Sequence, residues 1–227
     1  MIGCFVTGTD TGVGKTLVSA ALLHALARHH PRVIGMKPVA AGVVRIATDS
    51  GDIWASEDAV ALRGASTCQV QQELDNPYLL HDAVSPHIAA QRAGVQISVA
   101  HILACYQALV RYTDAVVVEG AGGFHVPLSE HQTGADLAQA LALPVVLVVG
   151  LRLGCLNHAL LTAEAIRARG LTLAGWVANH LDPAMPAQDE NMAWLQGQLA
   201  APLLGDIAFQ TAVDARTISL TLPETWT

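Results

Sequence analysis

Short runs of aliphatic and β-branched residues recur along this chain at intervals that leave room for a helix between them. Residues 2–6 form the first such run, and a glycine-rich turn follows directly. Residues 15–30 read as a helix that ends against Pro31, where the ring removes a backbone donor. A second strand is expected over 32–36, stopping at Pro38. Residues 115–118 and 145–149 are unbroken apolar runs, the pattern of strands covered on both faces. Weaker strand signals lie at 173–178 and 203–207, with helical stretches at 98–112, 134–141, 154–169 and 187–199. The alternation predicts an α/β fold, a doubly wound and mostly parallel sheet with helices on both faces. A ligand site is then expected at the carboxyl ends of the strands. Two segments break the rhythm. Residues 40–56 are polar and glycine-containing and read as a loop beside the ligand, and residues 212–227 lack periodicity and are expected to pack loosely.

Composition narrows this picture. At 227 residues the chain suits a single domain over 1–227 rather than two. Apolar residues make up 52% and aromatics only 4%, so the core must be built from Ala, Val, Leu and Ile. The formal charge is −7 and no Lys/Arg cluster occurs, which argues against a nucleic-acid partner. No apolar run reaches the roughly 18 residues needed to cross a bilayer, and the start has no basic leader. A cytoplasmic chain without a membrane partner is therefore expected. Cys4, Cys68, Cys105 and Cys155 are widely spaced, which points to reduced thiols rather than zinc or disulfides. The ten histidines show no HxxH or HExxH spacing.

The chemistry concentrates after the first strand, in Gly8-Thr9-Asp10-Thr11-Gly12-Val13-Gly14-Lys15-Thr16. A loop ending in Gly-Lys-Thr and opening a helix converges backbone N–H groups on phosphate oxygens, where the helix dipole also favours negative charge. Lys15 would face the β- and γ-phosphates, and the Thr16 hydroxyl would ligate Mg²⁺. Five residues separate Gly8 from Gly14, one more than the common phosphate-loop spacing. The bland alternative is a glycine-rich sharp turn, which leaves the Lys-Thr pair without a purpose. The fold expected is thus of the P-loop NTPase type. No Asn-Lys-x-Asp segment is present to read guanine, and Gly8-Thr9-Asp10-Thr11 lacks the extra lysine of partitioning ATPases. Lys15 and Lys37 are the only lysines, and Lys37 also stands beside a proline-bearing turn.

An ordered series of segments resembles the dethiobiotin synthetases. It begins with the phosphate loop and Gly35-Met36-Lys37-Pro38-Val39-Ala40-Ala41-Gly42. Asn76-Pro77-Tyr78, Ser85-Pro86-His87-Ile88-Ala89 and Val117-Val118-Glu119-Gly120-Ala121-Gly122-Gly123 follow. Leu153-Gly154-Cys155-Leu156-Asn157-His158, Gly175-Trp176-Val177-Ala178-Asn179 and Pro202-Leu203-Leu204-Gly205-Asp206-Ile207 complete it, to about residue 210. The resemblance implies ATP- and Mg²⁺-dependent ring closure of 7,8-diaminononanoate with CO₂ or bicarbonate, giving dethiobiotin, ADP and phosphate.

It also implies roles. Gly12, Val13, Gly14, Lys15, Thr16 and Leu17 would cradle the nucleotide, with Gly120, Ala121 and Gly122 facing it. Thr16, Asp58 and Glu119 would hold the metal, although Asp49, Asp52 and Glu57 lie close enough to Asp58 to compete for that match. Lys37, Lys15 and Thr11 would be catalytic, with Lys37 and Thr11 contacting the carbamate end of the substrate. A cation such as Lys37 in a dry site would stabilise the transition state by about 3 kcal/mol. Ala41, Gly154, Asn157 and Asn191 would line the rest of the substrate site, with Arg152 adding favourable charge, across the interface of a homodimer. Asn179 would read adenine, because an amide pairs with both N6–H and N7. His180 and the 208–210 backbone (Ala208, Phe209, Gln210) would flank the base.

Four positions depart from the family pattern. Gly12 stands where many relatives carry Glu, Ala41 replaces a hydroxyl, His180 replaces an acid, and Asn191 replaces a tyrosine. The loss at Ala41 removes one hydrogen bond of about 1 kcal/mol. Two rivals are weaker. Ligases of the cobyrinate-amidating kind need a glutaminase domain, and a switch ATPase does not account for Lys37 in its Lys-Pro-Val setting.

Overall fold

The computed structural model describes residues 2–46 and 53–227. Six parallel strands form the central sheet: β1 (Ile2–Gly8), β2 (Val33–Met36), β7 (Ala115–Gly123), β8 (Val145–Leu151), β9 (Leu173–His180) and β10 (Leu203–Ile207). Their order is β10-β9-β8-β1-β7-β2, so β1 lies between β8 and β7 and β2 is an edge. Alternate residues feed two cores, one on each face, because successive side chains of a strand point to opposite sides. Phe5, Val116, Val118 and Leu147 pack on one face, and Cys4, Val6, Val117, Val146 and Val148 on the other. Helices α1 (Lys15–Leu26), α2 (Glu57–Ala65), α5 (Val99–Leu109), α6 (Gly134–Leu141), α7 (Cys155–Ala168) and α8 (Gln188–Gln198) cover the faces, with α3 (Gln72–Asp75) and α4 (Pro86–Arg92) as short pieces. The doubly wound expectation holds.

Several boundaries differ from the sequence reading. Helix α1 ends at Leu26, not at residue 30, because i→i+3 bonds from Arg28 and His29 tighten its last turn. Strand β7 runs past residue 118 to Gly123, so Glu119 lies inside a strand, opposite Val6, and not at a strand end. The segment expected as a loop over 40–56 contains β3 (Val39–Ala41), β4 (Val44–Ile46) and β5 (Ile53–Ala55). β4 and β5 pair antiparallel, whereas β3 pairs in parallel with β6 (Tyr78–Leu80). The middle of that segment, with Asp49 and Asp52, lies outside the described residues.

The last sixteen residues are not loosely packed. Trp226 is buried in the core cluster shared with Leu22, Leu26 and Leu204, and its carbonyl meets His30 Nε2 at 2.9 Å. Thr221 N–H donates to the Leu204 carbonyl at 2.8 Å, tying the segment to β10. One large aromatic with a few leucines docks the segment without any repeating pattern. Trp226→Ala is expected to cost about 3–5 kcal/mol, read by denaturant unfolding. A loss well under 1 kcal/mol would show that the tail does not contribute to the core.

Candidate active site

The phosphate loop leaves the end of β1, the central strand, and enters α1 through Gly14. Gly14 has φ 89°, and a Cβ there would stand 2.3 Å from Asn179 Nδ2. Only glycine meets both conditions. Asn179 in turn donates from Nδ2 to the Val13 carbonyl at 2.9 Å, so the end of β9 holds the loop from outside. Val13 is buried beneath the loop, and Leu17 packs along α1 against the core. The Asp10 carboxylate accepts the Thr11 N–H at 2.7 Å and also pairs with Arg152. Arg152 thus braces the loop and is not placed as a free charge for a substrate carboxylate. The Lys15 ammonium donates to the Asp10 carbonyl at 3.1 Å. Burial pulls the Lys15 pKa down, and the positive charge of Lys37 adds to that.

Beneath the loop, three elements converge. Thr16 Oγ1, in the first turn of α1, lies 2.8 Å from Asp58 Oδ1 and 2.9 Å from Glu119 Oε1. Asp58 comes from the first turn of α2, capped by the Ser56 hydroxyl accepting from the Ala59 N–H. Lys37 follows directly after β2, and its ammonium reaches Glu119 Oε1 at 2.6 Å and Asp58 Oδ2 at 2.7 Å. Lys37 is 4% exposed and Glu119 1% exposed. Burial pushes the Lys37 pKa down, but Glu119 and Asp58 together more than offset it, and the net shift is upward. For Asp58, burial raises the pKa and the Lys37 ammonium outweighs it, leaving the carboxyl below its ordinary range.

These groups face one cavity of about 640 Å³. It brings together Thr11, Gly12, Gly14, Lys15, Thr16, Lys37, Ala41, Asp58, Glu119, Ala121 and Gly122, all named from the sequence. Val39, Ala83, Val84, Pro86 and Val126 add an apolar wall that the sequence reading did not assign. Gly120 lies just inside, its carbonyl 3.5 Å from the Lys37 ammonium. His180, Ala208 and Phe209 instead line a second cavity of about 400 Å³ with Pro183, Gln188 and Asp206. There His180 Nδ1 meets Gln188 Oε1 at 2.8 Å and Nε2 meets Asp206 Oδ1 at 2.7 Å. Gln210 is exposed beyond it. Gly154 caps α7 at φ 97°, Asn157 is exposed on α7, and Asn191 is half-buried on α8, none of them lining the main cavity.

The oxygen set suits a hard divalent cation. Two carboxylates and a hydroxyl meet at one point, and Glu119 Oε2 is buried without a hydrogen-bond partner among the described residues. An orphaned anionic oxygen of this kind is costly unless a cation takes it.

Phosphate-binding backbone at the centre of a parallel sheet, above a carboxylate pair fit for Mg²⁺, defines the chain as a P-loop nucleotide-binding protein. Solved structures agree on the fold. The MinC:MinD cell division protein complex from Aquifex aeolicus matches with a TM-score of 0.55 at 12% identity, over 93% of this chain and 83% of that one. The ParA family ATPase from Chlorobium tepidum TLS matches with a TM-score of 0.55 at 14% identity, over 92% and 85%. A family model described as an AAA domain spans residues 3–217. The relatives are more specific. The ATP-dependent dethiobiotin synthetase BioD of Janthinobacterium sp. (strain Marseille) is 56% identical over 89% of this chain and 86% of its own length. That of Aromatoleum aromaticum (strain DSM 19018 / LMG 30748 / EbN1) is 51% identical over 96% and 95%. The chain belongs to the dethiobiotin synthetase family.

The Lys37 ammonium and a divalent cation would neutralise the same two carboxylates. Lys37→Met is therefore expected to raise nucleotide-free Mn²⁺ affinity by roughly tenfold or more, the worth of one charged hydrogen bond. Titration followed by electron paramagnetic resonance reads the change. Unaltered affinity would mean that lysine and metal do not compete.

Proposed function

We propose that this chain is an ATP-dependent cyclo-ligase that closes 7,8-diaminononanoate with CO₂ to dethiobiotin, with ADP and phosphate as the other products. This is a step of biotin biosynthesis. The observation that carries the reading is the single cavity holding both lysines, the carboxylate pair and the phosphate loop. Two lone ammonium groups on separate faces would have no use for a triphosphate and a carbamate together.

One substrate amine first takes up CO₂ as a carbamate, losing a proton. A carbamate oxygen then attacks the γ-phosphorus, and the bond to ADP breaks. The second amine attacks the carbonyl carbon of the mixed anhydride, phosphate leaves, and the ureido ring closes. Thr16, Asp58 and Glu119 would hold Mg²⁺, which supplies charge to the β- and γ-phosphate oxygens as they shift. The loop N–H groups at Gly12 and Gly14, with Lys15, orient the phosphates. Lys37 turns from its carboxylate partners toward the carbamate and the phosphoryl group, where negative charge develops. The Thr11 hydroxyl, at the mouth of the cavity, contacts the same end. The apolar wall of Val39, Val84 and Val126 excludes water beside the hydrocarbon of the diamine.

Asn179 gives one N–H to the Val13 carbonyl, and its amide carries a second N–H and an oxygen for adenine. His180 and Ala208 to Gln210 border the base. A homodimer would complete the tail site. Gly154 and Asn157 sit on an exposed face of α7 beside Leu153, 89% exposed, and Leu161, 56% exposed. A second copy covering that apolar face brings those donors toward a neighbouring substrate carboxylate. Among the described residues no helix is long and apolar enough to cross a membrane.

Incubation with 7,8-diaminononanoate, bicarbonate, Mg²⁺ and ATP is expected to yield dethiobiotin by mass spectrometry. Phosphate release that ignores the diamine would overturn the assignment. Lys37→Gln is expected to lower turnover by about 100-fold or more, with nucleotide binding retained. An equal loss of nucleotide affinity would place Lys37 in nucleotide binding instead. Ala41 borders the cavity at the end of β3. Ala41→Ser is expected to lower the KM for the diamine several-fold, about one hydrogen bond, and an unchanged or higher KM would remove Ala41 from the substrate wall.

A further inference from the structure

The segment Asn76-Pro77-Tyr78 lines neither cavity at the nucleotide site. Its first residue is nevertheless 3% exposed, a degree of burial that an amide tolerates only when it is fully engaged. Asn76 Nδ2 donates to the Lys37 carbonyl at 2.7 Å and approaches the Tyr78 carbonyl at 3.4 Å. The Lys37 N–H donates to the carbonyl of Asp75, also at 2.7 Å. Both backbone polar groups of Lys37 are therefore served by two consecutive residues of another segment.

The topology explains why such a clamp is needed. β2 is the edge strand, and its ladder with β7 ends at Met36 opposite Val118. Lys37 is the first residue beyond that ladder, and Pro38 after it contributes no donor. A lysine there has no strand to fix its peptide planes, although its ammonium must be aimed at Asp58, Glu119 and the cavity. The 75–76 turn supplies the missing constraint. The Tyr78 N–H donates to the Pro38 carbonyl at 3.1 Å, handing the chain on to β3 and β6.

The turn is itself fixed to the helix that carries Asp58. Arg63, in the last turn of α2, donates from Nε at 2.7 Å and Nη2 at 2.5 Å to the Asp75 carboxylate. Asp75 is 4% exposed, so this forked pair is largely shielded from solvent. A closed circuit results. Lys37 touches Asp58 through its side chain, α2 runs from Asp58 to Arg63, Arg63 holds Asp75, and residues 75–76 hold the Lys37 backbone.

We infer that Asn76 is a positioning residue for the reaction: its amide, with the Asp75 carbonyl, sets the direction from which the Lys37 ammonium enters the site. The inference rests on the reading of Lys37 given above, and its test separates the two. Asn76→Ala leaves the Lys37 carbonyl without its donor while every group in the cavity is retained. Turnover of the full-length enzyme is expected to fall by roughly 10- to 100-fold, the effect of an error near 1 Å in a reacting group. The dissociation constant of a nonhydrolysable ATP analogue should stay within about twofold, because the phosphate loop does not depend on Asn76.

A general loosening of the fold would also lower turnover, so the deciding measurement is a double-mutant cycle. In a Lys37→Gln background, followed under single-turnover conditions, Asn76→Ala should change the residual rate by less than about twofold. An equal fold-loss in both backgrounds would overturn the positioning role. Should Asn76→Ala fail to fold, Asn76→Ser keeps a donor on a shorter arm and must show the same vanishing effect. Full turnover in Lys37→Gln would remove the reading of Lys37 itself. A loss in Lys37→Gln with none in Asn76→Ala would remove only the role of Asn76.

Discussion

A buried ammonium between two carboxylates organises this molecule. Lys37 stands almost without solvent, 2.6 Å from Glu119 and 2.7 Å from Asp58. Removing such charges from water costs several kcal/mol each, and their mutual attraction offsets this only with close geometry. That geometry has to be assembled from three distant parts of the sequence: the end of β2, the middle of β7 and the first turn of α2. The surrounding fold can be read as the means of bringing them together. The parallel pairing of β2 with β7 brings Lys37, the residue just past β2, beside Glu119 on β7, and the Ser56 cap starts α2 where Asp58 can reach both Lys37 and Thr16.

The same pairings let four charged groups share one largely buried site. Glu119 and Asp58 would repel each other if bare, and the two lysines would do the same once drawn together. Pairing Lys37 with the carboxylates offsets the first conflict, while the charge of Lys37 still weighs on Lys15, whose ammonium donates to the Asp10 carbonyl. The arrangement is nevertheless incomplete, because Glu119 Oε2 has no partner among the described residues and Thr16 has one proton for two acceptors.

How much of this was readable from the residues depended on whether the cause was local. The phosphate loop is a contiguous segment whose glycines and Lys-Thr ending carry their own physics, and it stands where the pattern put it. Lys37 was conspicuous because lysine is so scarce. Asp58 and Glu57 are adjacent, yet one lines the cavity and the other is exposed, since one residue along a helix rotates a side chain by about 100°. Only the family resemblance favoured Asp58. Asn76 and Arg152 were named without the jobs the structure gives them, because each acts on a residue far away in sequence. Trp226 shows the same limit. A single aromatic docking into a groove leaves no period to detect.

The departures from the family pattern also acquire a physical sense. Gly12 has φ 72°, and a Cβ there would meet nothing within 4 Å. The space admits a larger residue, but the backbone conformation is one that glycine adopts without strain. Whatever rigidity a longer side chain contributes elsewhere, this loop draws from other contacts: Asp10 grips the Thr11 N–H, Arg152 holds Asp10 from the end of β8, and Asn179 holds Val13 from the end of β9. Two neighbouring strands therefore fix the loop that leaves β1. In the second cavity, His180 is kept between Gln188 and Asp206, which belongs to the neighbouring strand β10. The bracing of the loop and the pairing of His180 are thus both carried by residues at the carboxyl ends of neighbouring strands, where a parallel sheet gathers its site.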